Sequence, residues 1–184
     1  MIKAQKIFIP VVVCLMLFIS AQANGQRSRQ YFSYGNLQGV KRYGVSINYF
    51  DDYSKGGAID YLKIYRNRNY WKYTLQYRER IADTEEATSF QLQLTHGNHL
   101  RQLGRRTFTR FIIGPEVGYE KKKSLLMDEQ KDFIFAGVHI GFEIEYFLTR
   151  KLVFYTSAMQ YGQVYLHNIR ADYLFNAGLR LSIF

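Results

Sequence analysis

The chain has one cysteine, Cys14, and two prolines, Pro10 and Pro115. Cys14 sits in an apolar stretch near the start and not at a cleavage point, so it is no lipoprotein acceptor. If that stretch is removed, no thiol remains, which excludes a disulfide framework, a cysteine metal centre and thiol catalysis. Few prolines leave room for a chain made mostly of paired strands. After the first twenty residues there is no apolar run long enough for a membrane-spanning helix. Internal repeats, low-complexity tracts and a nucleotide-binding glycine loop are missing as well.

What is present begins with an export signal. Lys3 and Lys6 form a positive n-region, Ile7 to Ile19 an apolar h-region, and Ala21-Gln22-Ala23 an A-x-A cleavage pattern. We therefore expect a signal peptide over 1–23, a polar and basic periplasmic lead-in over 24–38, and one domain over 39–184. The net charge is +10, and loss of Lys3 and Lys6 lowers it by two. Such an excess suits solvated loops and a polar interior, with lipid phosphates or nucleic acid as alternative partners. Aromatic residues are abundant, at 16 Tyr and 14 Phe.

The rest of the chain alternates. Tyr43, Val45, Ile47 and Tyr49 oppose Arg42, Gly44, Ser46 and Asn48. A second segment, 58–66, is less clean, because Leu62 and Ile64 compete with Ile59, Tyr61 and Tyr65 for one face. Trp71, Tyr73, Leu75 and Tyr77 alternate with Lys72, Thr74, Gln76 and Arg78. Further alternating segments centre on Phe90–Leu94, Phe111–Tyr119 and Ile134–Tyr146. The segment 151–162 is apolar on both sides and has no clear phase. The last runs from Tyr173 to the end, with Phe175, Ala177, Leu179, Leu181 and Ile183 on one face and Asn176, Gly178, Arg180 and Ser182 on the other. Period two is the mark of strands with one apolar and one polar face. Eight such segments predict an all-β fold, an eight-stranded antiparallel outer-membrane β-barrel of OmpA-like type.

Parity by itself does not say which face is inside, since a soluble lipocalin-type barrel also alternates. Three features favour the membrane: a polar face rich in Gly, Ser, Gln, Arg and Glu, aromatic residues at the ends of apolar faces, and the terminal Phe184. Leu179, Leu181, Ile183 and Phe184 form a candidate barrel-assembly signal, although Phe184 stands one step out of phase with the other three. An N-terminus in the periplasm makes the connections after strands two, four and six periplasmic and short. Asn67–Asn69 and Leu148–Lys151 fit, and Gly97–Arg105 is longer. The outer loops then fall near Asp51–Gly57, Ile81–Ala87, Lys121–Lys131 and Gln163–Ala171.

In that barrel Arg42, Lys72, Arg78, Arg110, Arg180, Glu116, Glu120, Glu143 and Glu145 share a lumen barely wide enough for side chains. Charges buried there must pair, which predicts a ladder of ion pairs plugging the barrel, with a proton or ion path as the alternative. His139 falls on the polar face. His96 and His99 fall in the longest periplasmic turn, a weak H-x-x-H metal pair without a helix around it, and His167 lies in an outer loop. Lys121-Lys122-Lys123 opens an outer loop. We expect no catalytic residue, cofactor or metal. Aromatic and basic residues stand on opposite faces, so direct nucleic-acid binding is not expected.

Several segments carry a family resemblance. These are the Trp71–Tyr77 strand, Gly114-Pro115-Glu116-Val117-Gly118-Tyr119-Glu120, Phe135-Ala136-Gly137, Glu143-Ile144-Glu145-Tyr146-Phe147-Leu148 and Gly178-Leu179-Arg180-Leu181. In these the chain, from about Gly39 to Phe184, resembles the TraO conjugal-transfer proteins of Bacteroides-type conjugative transposons. The resemblance implies a small outer-membrane barrel in a mating apparatus, in contact with outer-membrane lipid and other transfer proteins, and it carries over no catalytic residue. In similar proteins the apolar phase of the last strand runs through the final Phe, whereas here it runs through Ile183. A general adhesion or envelope-stabilising barrel and a lipid-modifying barrel enzyme using His96, His99 or His139 are the other readings.

Overall fold

In the computed structural model the described residues are 39–50, 54–65, 68–81, 85–124, 130–165 and 168–183. The expected signal peptide with Ala21 and Ala23, the lead-in 24–38, His167 and Phe184 lie outside them. Eight strands follow in chain order: β1 (Lys41–Phe50), β2 (Lys55–Ile64), β3 (Tyr70–Ile81), β4 (Glu85–Leu103), β5 (Thr107–Ser124), β6 (Gln130–Phe147), β7 (Leu152–Tyr165) and β8 (Asn168–Ile183). Each pairs antiparallel with its sequence neighbours, and β1 pairs with β8 to close the barrel. Closure leaves no unpaired sheet edge, the condition for strands to cross a bilayer.

The register fixes the barrel's shape. Cross-strand partners lead from Lys41 through Lys63, Trp71, His96, Ile113, Ile140 and Gln160 to Tyr173. Because Leu174 pairs with Phe50, this walk returns to β1 ten residues from its start. Eight strands with that shear tilt by roughly 43° and enclose a lumen only wide enough for side chains.

The wall is inside-out relative to a soluble barrel. Ile47 is 77% exposed and Ile134 76%, while Arg42, Glu143 and Glu145 are 0% exposed. The band that includes Val45, Ile59, Leu75, Leu92, Val117, Val138 and Leu179 faces outward. A contiguous apolar belt of that size on a closed barrel is a lipid-facing surface. The lipocalin alternative requires the opposite arrangement.

Two ambiguous segments are settled by their partners. β2 turns Ala58, Asp60, Leu62 and Ile64 inward and Ile59, Tyr61 and Lys63 outward. β7 turns Val153, Tyr155, Ser157, Met159, Tyr161 and Gln163 inward. Its apolar residues are split between lipid and lumen, which is why it shows no phase in the sequence.

The connections differ from expectation. Gly97–Arg105 is not a long turn: β4 continues to Leu103, through a register shift between His99 and Arg101, and the turn is Gly104–Arg106. Polar side chains there are ladder partners of β5, so polarity marks a strand leaving the apolar belt and not the end of pairing. The same holds at the other end. Lys121, Lys122 and Lys123 belong to β5, and pairing of β5 with β6 reaches Lys123 and Gln130. β4, β5 and β6, at 19, 18 and 18 residues, exceed the roughly 9–11 needed to span a bilayer.

Candidate functional site

The lumen holds the most concentrated chemistry in the molecule. Near the end that carries the chain's first and last described residues, Arg180 on β8 lies at its centre. Its Nε donates to Asp60 Oδ2 at 3.0 Å, its Nη1 to Glu143 Oε1 and Glu145 Oε1 at 2.9 Å each, and its Nη2 to Glu143 Oε2 at 2.8 Å. Arg42 on β1 donates to Glu145 Oε1 at 2.9 Å, and Arg110 on β5 to Glu145 Oε2 at 2.8 Å. Lys72 and the Tyr70 hydroxyl donate to Glu143 at 3.2 and 2.6 Å. Rings cover the cations: Arg180 lies 3.5 Å over Tyr155, Arg42 4.8 Å over Phe147 and Arg110 5.1 Å over Tyr70. Three arginines and a lysine thus meet three carboxylates with the multiple hydrogen bonds that buried charges require.

Two glycines make room for this layer. At Gly44 a Cβ would stand 2.1 Å from Asp60 Oδ1 and 2.8 Å from Arg180 Cγ. At Gly97 it would stand within 2.4 Å of the Tyr70 ring, which lies across the lumen. A cluster of Phe108, Phe147 and Val153 closes the barrel at the same end.

A second layer lies toward the other end. Arg78 donates to Asp172 Oδ2 at 3.0 Å and to Ser54 Oγ at 2.9 Å, and stacks 4.1 Å over Phe50. Arg170 also reaches Asp172, at 2.8 Å. Glu120 accepts from the Tyr165 hydroxyl at 2.7 Å and pairs with Lys122 at 3.3 Å. Glu116 accepts from Gln163 Nε2 at 2.7 Å and lies 3.8 Å from His139 Nδ1. Between the layers Gln93 joins Gln76 and Tyr161, each at 3.1 Å.

All nine lumen charges named from the sequence face inward. Arg42, Lys72, Arg110, Arg180, Glu143 and Glu145 meet in the first layer. Arg78, Glu116 and Glu120 stand apart from them. Sequence reasoning missed Asp60 and Asp172. Extending the polar parity of β8 back from Asn176 through Leu174 reaches Asp172, and the phase of β2 set by Ala58 reaches Asp60. Leu179, Leu181 and Ile183 face outward on β8.

The histidines do not converge. His96 faces outward, 4.7 Å from the Trp71 ring and hydrogen-bonded to the Tyr65 hydroxyl at 2.8 Å. His99 turns to the lumen against Phe108, so the H-x-x-H pair is divided between opposite faces of β4. His139 is buried in the lumen beside Thr95, at 3.0 Å. Among the described residues no three His, Cys, Asp or Glu side chains are grouped to hold a metal ion.

An outward apolar belt around a charge-filled interior defines the architecture of a small transmembrane barrel. Solved structures agree on that fold. The N-terminal β-barrel domain of Pseudomonas aeruginosa OprF is 16% identical, with 79% of this chain and 98% of that one covered at a TM-score of 0.55. Ail, the attachment invasion locus protein of Yersinia pestis, is 13% identical, with 79% and 99% covered at 0.54. A major outer membrane protein from Thermus thermophilus is 7% identical, with 78% and 99% covered at 0.55. No family model and no curated protein matches the sequence.

Proposed function

We propose that this chain is a structural, non-catalytic outer-membrane component of a conjugative DNA-transfer apparatus. The filled lumen carries the structural half of this reading: Arg180, Arg42, Arg110 and Lys72 are tied to Glu143, Glu145 and Asp60 across the bore. A bore locked by side chains from β1, β2, β3, β5, β6 and β8 has no room for a nucleic-acid strand, so the barrel acts through its surfaces. The resemblance to TraO proteins supplies the assignment to a mating apparatus, and the outer-membrane barrels that share the fold support the compartment. A clean deletion, complemented by the full chain, tests it. Mating frequency falls at least tenfold if the chain serves transfer, and an unchanged frequency refutes the role.

The charged outer ends of β4, β5 and β6 favour a second reading, an adhesion or envelope-stabilising barrel. Ail, which shares the fold, has been solved with the heparin analogue sucrose octasulfate. Shortening 121–132 separates the readings: lost surface attachment with normal transfer favours adhesion. The enzyme reading loses support from His99 and His139, which turn into the lumen away from lipid, while the outward-facing His96 is engaged by the Tyr65 hydroxyl and Asn98.

A further inference from the structure

The surface charge is divided along the barrel axis. Among the described residues every Asp and Glu lies either in the lumen (60, 116, 120, 143, 145, 172) or at the end where β3 joins β4 and β5 joins β6 (79, 85, 86, 132). The opposite rim, where β1 starts and β8 stops, carries Lys41, Lys63, Arg101, Arg105, Arg106, Arg150 and Lys151, all exposed. The outer surface of that rim holds no acidic residue among those described.

Two of these lysines occupy a particular level. Tyr43, Tyr61 and Tyr73 are direct cross-strand partners on the outward face, with ring centroids 5.2 and 6.3 Å apart. Tyrosine rows of this kind sit at the membrane–water boundary. Two residues further toward the rim, the next outward row reads Ile183, Lys41, Lys63, Trp71, again as direct partners. Lys41 and Lys63 are therefore adjacent like charges, an arrangement that costs stability in a sheet. Among the described residues neither has a carboxylate within ion-pair distance. Their level, just beyond the tyrosines and beside Trp71, is where lipid headgroups lie.

We propose that this rim binds the phosphate of an anionic phospholipid, held between Lys41 and Lys63 at the side of Trp71. Lysine stems cover the apolar surface and the ammonium groups reach the phosphate. The basic turns at Arg105–Arg106 and Arg150–Lys151 raise the local anion concentration around it. The continuous step from apolar belt to tyrosines to lysines favours a lipid over a soluble polyanion. The inference rests on the membrane-spanning reading of the barrel and is independent of conjugation.

Trp71 is the only tryptophan in the chain, so its fluorescence reports the lipid at this spot. The full chain is folded into equimolar phosphatidylglycerol and phosphatidylcholine vesicles, with bromine near the headgroup of one lipid or the other. Brominated phosphatidylglycerol is expected to quench Trp71 as though enriched about fivefold over phosphatidylcholine. The preference falls to parity in Lys41→Gln/Lys63→Gln, persists in Lys41→Arg/Lys63→Arg, and is unchanged in the opposite-end control Lys121→Gln/Lys123→Gln. Heat-modifiable gel migration verifies that each variant is folded, and the single Lys63→Gln variant substitutes where the double one does not fold. Equal quenching by both lipids, or a preference that survives loss of the lysine charge, overturns the proposal. Absence of a lipid preference together with lysine-dependent binding of polyglutamate or single-stranded DNA overturns it in favour of a soluble partner. Quenching by neither lipid contradicts the membrane reading itself.

Discussion

Arg180 is in contact with three carboxylates at once, on Asp60, Glu143 and Glu145. Its removal leaves these anions in a bore from which bulk water is excluded. Arg180→Met is therefore expected to destabilise the folded barrel by about 3–5 kcal/mol, measured by urea unfolding in lipid vesicles. Lys72, with its single carboxylate partner, costs less when changed to Met. Gly44→Ala tests the same site sterically: its Cβ displaces Asp60 from Arg180, at a cost of about 1–3 kcal/mol. At this scale the sequence was informative about direction and silent about partners. Parity alone turns Arg42, Arg110, Arg180, Glu143 and Glu145 inward, since every second side chain shares a face. Which of them touch depends on barrel shear, a property of the whole register. Asp60 stayed hidden because Leu62 and Ile64, which share its inward face, fill the lumen near the rim and read as lipid-facing.

At the scale of the strand, one face answers to lipid and the other to the lumen. Val45, Ile59, Leu75, Leu92 and Val117 form a continuous outward row across β1 to β5. Arginine at the centre of such a row has no protein partner and must be taken into hydrocarbon. Leu75→Arg is expected to cost about 2–4 kcal/mol, against about 0–1 for Ile81→Arg near the strand end, measured by unfolding in vesicles. Equal and negligible costs would mean that the belt faces water. Six strands were legible because most of their apolar residues face outward, with isolated inward ones such as Phe50, Tyr70, Ile112 and Leu174 too few to erase the period. In β7 the side chains of Val153, Tyr155, Met159 and Tyr161 pack the bore while Phe154 and Val164 meet lipid, so apolar residues on both faces erase the period. Strand ends were the least legible feature. Beyond the belt the ladders continue with charged side chains, as in Lys121 opposite Asp132 and Lys55 opposite Glu79, and composition there resembles a loop.

For the whole molecule, closure of β1 on β8 and the filled bore act together. The barrel is expected to show no unitary conductance steps in planar bilayers, and a stable open pore would contradict the plug. Closed pairing should also make gel migration heat-modifiable, since the folded barrel resists detergent until it is boiled. Most directly, the odd-numbered residues of β1 from Tyr43 to Tyr49 face outward into the membrane and its even-numbered ones face the packed lumen. Single nitroxides at positions 45 to 49, in the chain folded in lipid vesicles, test this by accessibility to oxygen and to a water-soluble nickel chelate. Oxygen accessibility should peak at 45, 47 and 49, with 46 and 48 protected from both reagents. Nickel accessibility at 45, 47 and 49 would contradict the account.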